Sequence, residues 1–330
     1  MSFAKLIMSL KLFGRTITFV HQYNRIKYYE NFYPFGRLVT MKKEIIKYSF
    51  KEGLPQEFEI VDLAQLYQNF AAEMTVPHRT GFYHVLWFQN GGYSHLVDFN
   101  PVEIKPNTLL FMDKNVVQRF DAQGNIKGKA ILFTDSFFCK TEADIRFLKS
   151  TILFNDLLSI SQVQLPNQTT SIHALFEQME TEMQTDNDTH QSDILRNSLR
   201  NLLLYSERER QKQGYIKVEK GADLNYVMQF KELLEANYHE RLLVSDYAHQ
   251  MSITIKRLNQ ATSKVLGLTP KRMIDTRTLL EAKRVLAHTH KTIKEVGFDL
   301  GFNEPTNFIK YFKKHVGSTP VAFRAEFTRS

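Results

Sequence analysis

Between about Ile45 and Asp135 the apolar positions come in short runs broken by turn residues: YHVLWF from Tyr83, SHLVDF from Ser94, NTLLFMD from Asn107 and KAILF from Lys129. Runs of this length, rich in β-branched and aromatic residues, predict strands. Gln89-Asn90-Gly91-Gly92 separates the first two. Asn-Gly supplies the positive φ angles of a tight turn, so these two strands are expected to form a hairpin. Lys105-Pro106-Asn107 turns the chain into a further strand, and strands at this spacing predict a small barrel or sandwich. From about Thr141 the spacing becomes helical. Ile172, Leu175, Phe176, Met179 and Met183 form one stripe, and Leu195, Leu199, Leu202 and Leu203 form a second. The two helices are joined by the polar stretch Gln184 to Gln191. Their stripes either pack on the barrel or meet a second copy, and they exceed what one barrel face is expected to cover, so a homodimer is expected. Gln211 to Gly221, rich in Lys, Gln and Gly, looks like a linker.

Beyond Gly221 the chain repeats itself. Val265-Leu266-Gly267-Leu268-Thr269-Pro270 returns as His315-Val316-Gly317-Ser318-Thr319-Pro320, with Leu258 of the first copy matching Phe308 of the second. Each copy predicts helix, short turn, helix. Thr292-Ile293-Lys294-Glu295 is a capping box that starts a helix, Gly297 allows two helices to cross closely, and Gly301 suits the left-handed helix end. Pro305 sits in a first turn and Thr254 can cap the second helix of the first copy. Leu258, Ala261 and Val265 should face inward, leaving Lys256, Arg257, Asn259 and Gln260 outside. Phe308 and Phe312 should pack, leaving Thr306, Asn307 and Lys310 exposed, with Lys313 and Lys314 behind them. Lys, Asn and Gln are suited to base edges in a major groove, and a helix-turn-helix exists to present such a face.

Charge sharpens this. The net +8 is concentrated at one end: Asn225 to Ser330 holds 17 Lys and Arg against 10 Asp and Glu, while the remainder is nearly balanced. A basic end is expected where a polyanion binds. At 43% apolar and 24% charged residues the chain is globular, and no apolar run approaches a membrane span. Cys139 is the one cysteine, which excludes disulfide frameworks and multi-cysteine zinc sites. A cytoplasmic protein with no membrane partner is expected. Lys11 and Arg15 interrupt the apolar N-terminal stretch and no small-residue cleavage site follows, against a signal peptide. Residues 1–40 show little periodicity and are read either as a basic arm or, preferably, as lying ahead of a true start at Met41.

The region from about Asn225 to Phe327 resembles the AraC/XylS transcription regulators. TPKRMIDTRTLLEAKRVLAHT, from Thr269, looks like that family's linker helix. TIKEVGFDLGFNEPTNFIKYFKKHVGSTPVAFR, from Thr292, looks like its second helix-turn-helix. The resemblance implies two parallel recognition helices over successive major-groove turns of double-stranded DNA. By position, Lys256, Asn259 and Gln260 match base-reading positions of the first unit, as Thr306 and Lys310 do in the second. Two departures stand out: Leu243 where a capping Ser or Thr is usual, and Gly297 in place of alanine.

The expected fold is therefore α+β: an N-terminal cupin-like β-barrel with flanking helices and a C-terminal all-α double helix-turn-helix domain. Boundaries are placed at 1–40, 41–140, 141–210, 211–224 and 225–330. In the family such a barrel binds an effector or mediates dimerisation. Residues 77–120 resemble it loosely, with Pro77-His78-Arg79 at its opening and Lys105 to Leu110 at its turn. A small-molecule effector would be met by His78, Arg79, Tyr83 and Trp87. His78, His84 and His95 invite a metal hypothesis, but Gln118 stands where a further histidine ligand would be needed, so no metal or cofactor is expected. The expected function is sequence-specific transcription regulation without catalytic residues, with RNA polymerase as a partner if the protein activates. The alternative is a cupin-type metalloenzyme carrying an accessory DNA-binding tail. A DNA-repair methyltransferase would need a nucleophilic cysteine and a cysteine zinc site, which one cysteine cannot supply.

Overall fold

The computed structural model describes residues 7–12, 15–20, 45–51, 53–122, 125–154, 160–166, 170–185, 188–214 and 221–328. Two compact units are present, 1–41 and 42–330. In the first, β1 (Ile7–Leu12) and β2 (Arg15–Val20) pair antiparallel, with Ile7 opposite Val20. This corrects the reading of residues 1–40 as lacking periodicity. Thr16-Ile17-Thr18-Phe19 alternates hydroxyl and apolar side chains, and β2 is mostly β-branched, which suits extended backbone. Residues 1–6, 13–14 and 21–44, which include most of the stretch read as an arm or as lying ahead of a start at Met41, are outside the described residues.

The second unit opens with β3 (Ile46–Tyr48), β4 (Phe58–Asp62), α1 (Leu63–Met74), β5 (His78–Thr80), β6 (Tyr83–Phe88), β7 (Tyr93–Val97), β8 (Asn100–Ile104), β9 (Thr108–Met112), β10 (Val117–Arg119) and β11 (Gly128–Phe133). Then come α2 (Asp135–Phe138), α3 (Glu142–Ser150), β12 (Ser161–Gln164), α4 (Ser171–Gln184) and α5 (Gln191–Lys212). The strands form two five-stranded sheets, ordered β3-β5-β10-β7-β8 and β12-β9-β6-β11-β4. Two sheets rather than one closed barrel is the first correction. The second concerns the hairpin: β6 pairs with β9 and β11, while β7 pairs with β8 and β10 in the other sheet. The Asn90-Gly91-Gly92 segment carries the chain between sheets. Gly92, at φ +90°, donates to the Ile104 carbonyl, and a Cβ on Gly91 would lie 2.5 Å from that same oxygen. The glycines serve close approach to β8 rather than a two-residue turn. The tight hairpin is instead β7–β8, whose turn is Asp98-Phe99 with Asp98 at φ +54°.

β6 explains why its run is continuous rather than alternating. Leu86 and Phe88 join Leu110, Met112, Val97 and Ile104 between the sheets, whereas Tyr83, Val85 and Trp87 face a layer of helices with Leu148, Phe176, Leu195 and Leu199. Both faces of its sheet are covered. The Leu-rich stripes are accordingly spent inside the chain: Leu195, Leu199, Leu202 and Leu203 have no exposed surface. They do not form the second-copy interface expected of them, because the sheet presents two apolar faces and needs a helical layer over one.

The inter-sheet core also holds three histidines. His78, His84 and His95 are buried, and His95 lies edge-on to Phe120 with its Nε2 3.2 Å from the Gln118 Oε1. Burial first, and then the neighbouring imidazoles, push His84 and His95 down to about 3. In the unfolded chain they return towards their ordinary 6.5, so unfolding takes up protons wherever the pH lies between these values. The stability they contribute is whole above about 6.5 and is lost as the pH falls towards 3. Urea titrations across that window should show stability falling by up to about 1.4 kcal/mol per histidine per pH unit. Replacing His95 by Gln should flatten the slope. An unchanged slope would mean that His95 is protonated inside the fold.

The C-terminal part contains α6 (Ala222–Asn237), α7 (Val244–Gln250), α8 (Ile255–Leu266), α9 (Pro270–His288), α10 (Ile293–Asp299), α11 (Pro305–Val316) and α12 (Pro320–Thr328). α6 begins three residues ahead of the boundary placed at 225, and α5 runs two past that placed at 210. One core gathers Phe230, Tyr247, Leu258 and Ala261, and another gathers Val296, Phe302, Phe308 and Phe312. α9 serves both, giving Met273 and Ile274 to the first and Ala282 and Leu286 to the second. No helix among the described residues is long and apolar enough to cross a membrane.

Candidate nucleic-acid interface

The repeated Gly-x-Thr-Pro has a local physical cause. Gly267 and Gly317 end α8 and α11 in the left-handed conformation, at φ +67° and +87°. Thr269 and Thr319 then accept from the backbone N–H of Arg272 and Ala322, and Pro270 and Pro320 fill the first turns of α9 and α12. The starts of α8 and α11 are fixed by similar chemistry. Thr254 Oγ1 accepts from Arg257 N–H at 3.1 Å, and Pro305 opens α11. In the first helix of the second unit, Thr292 and Glu295 complete a reciprocal box. Leu243 offers no cap to α7, but Asp246 keeps half of the box by accepting from the Leu243 N–H at 2.6 Å. Gly297 lies where α10 and α11 cross: a Cβ there would stand 3.2 Å from the Phe308 Cβ. Gly301, at φ +75°, faces the His239 carbonyl so closely that a Cβ would come within 2.3 Å.

On α8, Leu258 and Ala261 are buried, and Lys256 and Gln260 are exposed. On α11, Phe308 and Phe312 are buried, and Thr306, Asn307, Lys310, Lys313 and Lys314 are exposed. At 100° per residue, Lys256, Gln260 and Ser263 centre one face of α8, and Thr306, Lys310 and Lys313 centre the matching face of α11. Two residues differ from the expectation. Asn259 is half-buried and donates to the Ile255 carbonyl of its own helix at 2.9 Å. Arg257 is half-buried, ion-paired at 2.5 Å with Asp223 of α6, and lies over the Tyr226 ring.

The effector candidates are not brought together. Tyr83 and Trp87 face the helical layer, where the Tyr83 hydroxyl donates to Asp135 and Trp87 packs on Phe176. The Trp87 indole nitrogen has no hydrogen-bond partner among the described residues. His78 is buried in the other sheet, with its Nδ1 2.9 Å from the Val76 carbonyl oxygen. Arg79, its neighbour on β5, points the opposite way and pairs with Glu281 of α9 at 3.3 Å. Among the described residues no group of three or more His, Cys, Asp or Glu is arranged to hold a metal.

That Arg79 contact belongs to a seam that sequence reasoning missed. Between its two apolar ends α9 carries Arg277, Glu281 and Arg284, all buried. Arg284 makes a two-pronged pair with Asp98 of the β7–β8 turn, Nε to Oδ1 at 2.6 Å and Nη2 to Oδ2 at 2.9 Å. Glu281 accepts from Arg79, Arg277 and Arg284, and Arg277 also reaches Glu235 of α6 at 2.8 Å and lies over Tyr238. Burial raises Glu281, but Arg284, Arg79 and Arg277 outweigh it and hold the carboxyl below its usual range. Burial alone would lower Arg284, and Asp98 reverses that. Beside Asp98, Phe99 stacks on His288 and meets Phe323 and Phe327 edge-on. Next to the turn a cleft of about 610 Å³ separates it from Leu279, Lys283 and Val316. The seam uses α9 and α12 and leaves the outward faces of α8 and α11 uncovered. Spacing gives no sign of it, because charged residues on a helix read as solvated.

Residues 247–326 match the family model of a helix-turn-helix domain, and residues 61–204 match that of an AraC-like ligand binding domain. The chain belongs to the AraC/XylS family. The lactose operon transcription activator of Staphylococcus xylosus is 27% identical over 106 residues, 32% of this chain and 37% of that protein. The HTH-type transcriptional activator RhaS of Salmonella schwarzengrund is 26% identical over 103 residues, 31% of this chain and 36% of that protein. The match thus spans little more than a third of the length of these curated relatives. Among solved structures, ToxT of Vibrio cholerae aligns over 83% of this chain and 95% of its own, with TM-score 0.40 and 17% identity. The two matched regions correspond to the sheet-rich and helical halves of this family member, in an α+β fold.

Proposed function

We propose that this family member is a sequence-specific, effector-responsive transcription regulator that reads two successive major-groove segments of double-stranded DNA. The observation that carries the reading is the pair of capped helices α8 and α11, joined by α9 and uncovered along their outward faces. α9 has 19 residues, and at 1.5 Å per residue it is roughly 28 Å long, comparable to the ~34 Å of one DNA turn. Lys256, Gln260, Thr306 and Lys310 are the base readers, and Asn307, Lys313 and Lys314 approach phosphate. Asn259 reads only if it releases the Ile255 carbonyl, and Arg257 only if it leaves Asp223. The front half responds to an effector, a role supported by the match to an AraC-like ligand binding domain. His78, Arg79, Tyr83 and Trp87 aim in different directions, so one small molecule would meet only some of them. A metalloenzyme is not favoured, since the matched relatives are named as transcription activators. If this protein activates too, RNA polymerase is a further partner. A homodimer would have to use a surface other than the Leu-rich stripes.

The test is a selection from random duplexes with the full chain at fixed salt. An enriched motif with two half-sites about one helical turn apart is expected. Lys310→Ala should cost about 1–3 kcal/mol and flatten the motif at one or two base pairs. Lys313→Ala should weaken all sequences alike and lower the salt slope by about 1. No enrichment over the starting pool would refute the reading. A motif altered by Lys313→Ala but not by Lys310→Ala would place α11 one turn out of register.

A further inference from the structure

The two recognition helices share a frame but differ in how their cations are held. Arg257 and Lys264 are seven residues apart, so they line one flank of α8, roughly 80° from the face centred on Lys256 and Gln260. Asp223, in the first turn of α6, sits against that flank. It meets Arg257 at 2.5 Å and Lys264 at 3.0 Å, and its side chain is 20% exposed. Lys264 and Arg257 together hold the Asp223 carboxyl below the usual carboxylate range. At the matching positions of α11 stand Asn307, which is uncharged, and Lys314, both exposed, and no carboxylate lies within ion-pair distance of Lys314 among the described residues. Lys310 and Lys313 are likewise unpaired. In a recognition helix seated in the groove, the flanks face the phosphate walls.

We infer that Asp223 is a specificity-setting residue that withholds Arg257 and Lys264 from the DNA backbone, so that α11 supplies most of the phosphate anchoring beside its own base readers while α8 contributes chiefly base contacts. The inference rests on the DNA-binding reading above. A phosphate contact adds affinity for every sequence alike, whereas a base contact discriminates. Neutralising one flank of α8 therefore lowers non-specific binding by the first unit while its outward face keeps Lys256 and Gln260. A single carboxylate facing two cations suits this role, because the cluster keeps its fold-side partner whether or not DNA is present. Arg257 is the more firmly held of the two, with its guanidinium over the Tyr226 ring at 4.8 Å. Lys264 keeps a more exposed ammonium.

The experiment measures binding of the full chain to a fluorescent duplex of random sequence across a salt series. Asp223→Asn should raise affinity for this duplex several-fold at low salt and steepen the plot of log K against log salt by about 1 to 2, at ~0.9 per released cation. Adding Arg257→Gln and Lys264→Gln to that variant should remove the gain. A weaker or unchanged slope in a variant with wild-type circular dichroism would overturn the inference. Should Asp223→Asn fail to fold, two single variants decide it. Lys314→Gln should lower the slope by about 1 and Lys264→Gln by much less, and equal losses would overturn the inference. If the wild-type chain shows no salt-dependent DNA binding at all, it is the DNA-binding reading that has failed.

Discussion

Arg284→Gln should destabilise the folded chain by about 3–5 kcal/mol, because it leaves a buried carboxylate without the cation that faces it. Asp98 is 6% exposed and its two oxygens are taken by Nε and Nη2 of Arg284. The side chain of glutamine is shorter and uncharged, and it cannot return both bonds. Glu281 loses one of its three cations as well. Urea denaturation of the full chain gives the number. The pairing predicts that Asp98→Asn combined with Arg284→Gln recovers a large part of the loss, since removing both charges is far cheaper than stranding one. A loss below about 1 kcal/mol for the single variant, the range of exposed ion pairs, would show that water enters the seam.

Charged substitutions in the α5 stripe should have a comparable effect for a different reason. Leu199 and Leu203 have no exposed surface and pack among side chains of the second sheet and α4. Placing aspartate at either position buries an unpaired charge and should remove several kcal/mol of the 5–15 kcal/mol typical of a domain. The expected result of Leu199→Asp is loss of near-ultraviolet dichroism and of the sharp gel-filtration peak. A folded, soluble monomer would mean that the stripe faces a second copy after all.

The C-terminal half was legible in unusual detail because its punctuation is chemical. Thr254, Thr292, Gly301, Pro305, Gly267 and Gly317 each do the local task their chemistry suggests. The front half was less legible. YHVLWF is a strand throughout and SHLV of SHLVDF is one, whereas Asp98-Phe99 turn the chain; the pairing depends on which sheet each strand joins, and Asn90-Gly91 carries the signature of a hairpin that the sheets do not make. Leu195 to Leu203 were correctly helical, yet periodicity alone does not say what covers a stripe. Arg257 looked like a reader because the wheel puts it outside the core, and only α6 reveals the carboxylate beside it. Asp98, Arg284 and Glu281 are polar residues whose partners lie as far as 202 positions away, so nothing local marks them.

The Phe99 tip has an implication for recombination. Its ring supplies part of the aromatic cluster of Phe323 and Phe327, so the second helix-turn-helix borrows one of its packing partners from a hairpin turn more than two hundred residues upstream. A hybrid that kept this helical C-terminal part and received a foreign front half would inherit an unfilled notch beside α12, along with an Arg284 that has lost its carboxylate. Grafts that also transplant Asp98-Phe99 at the matching turn should yield working hybrids far more often than grafts joined at the linker alone.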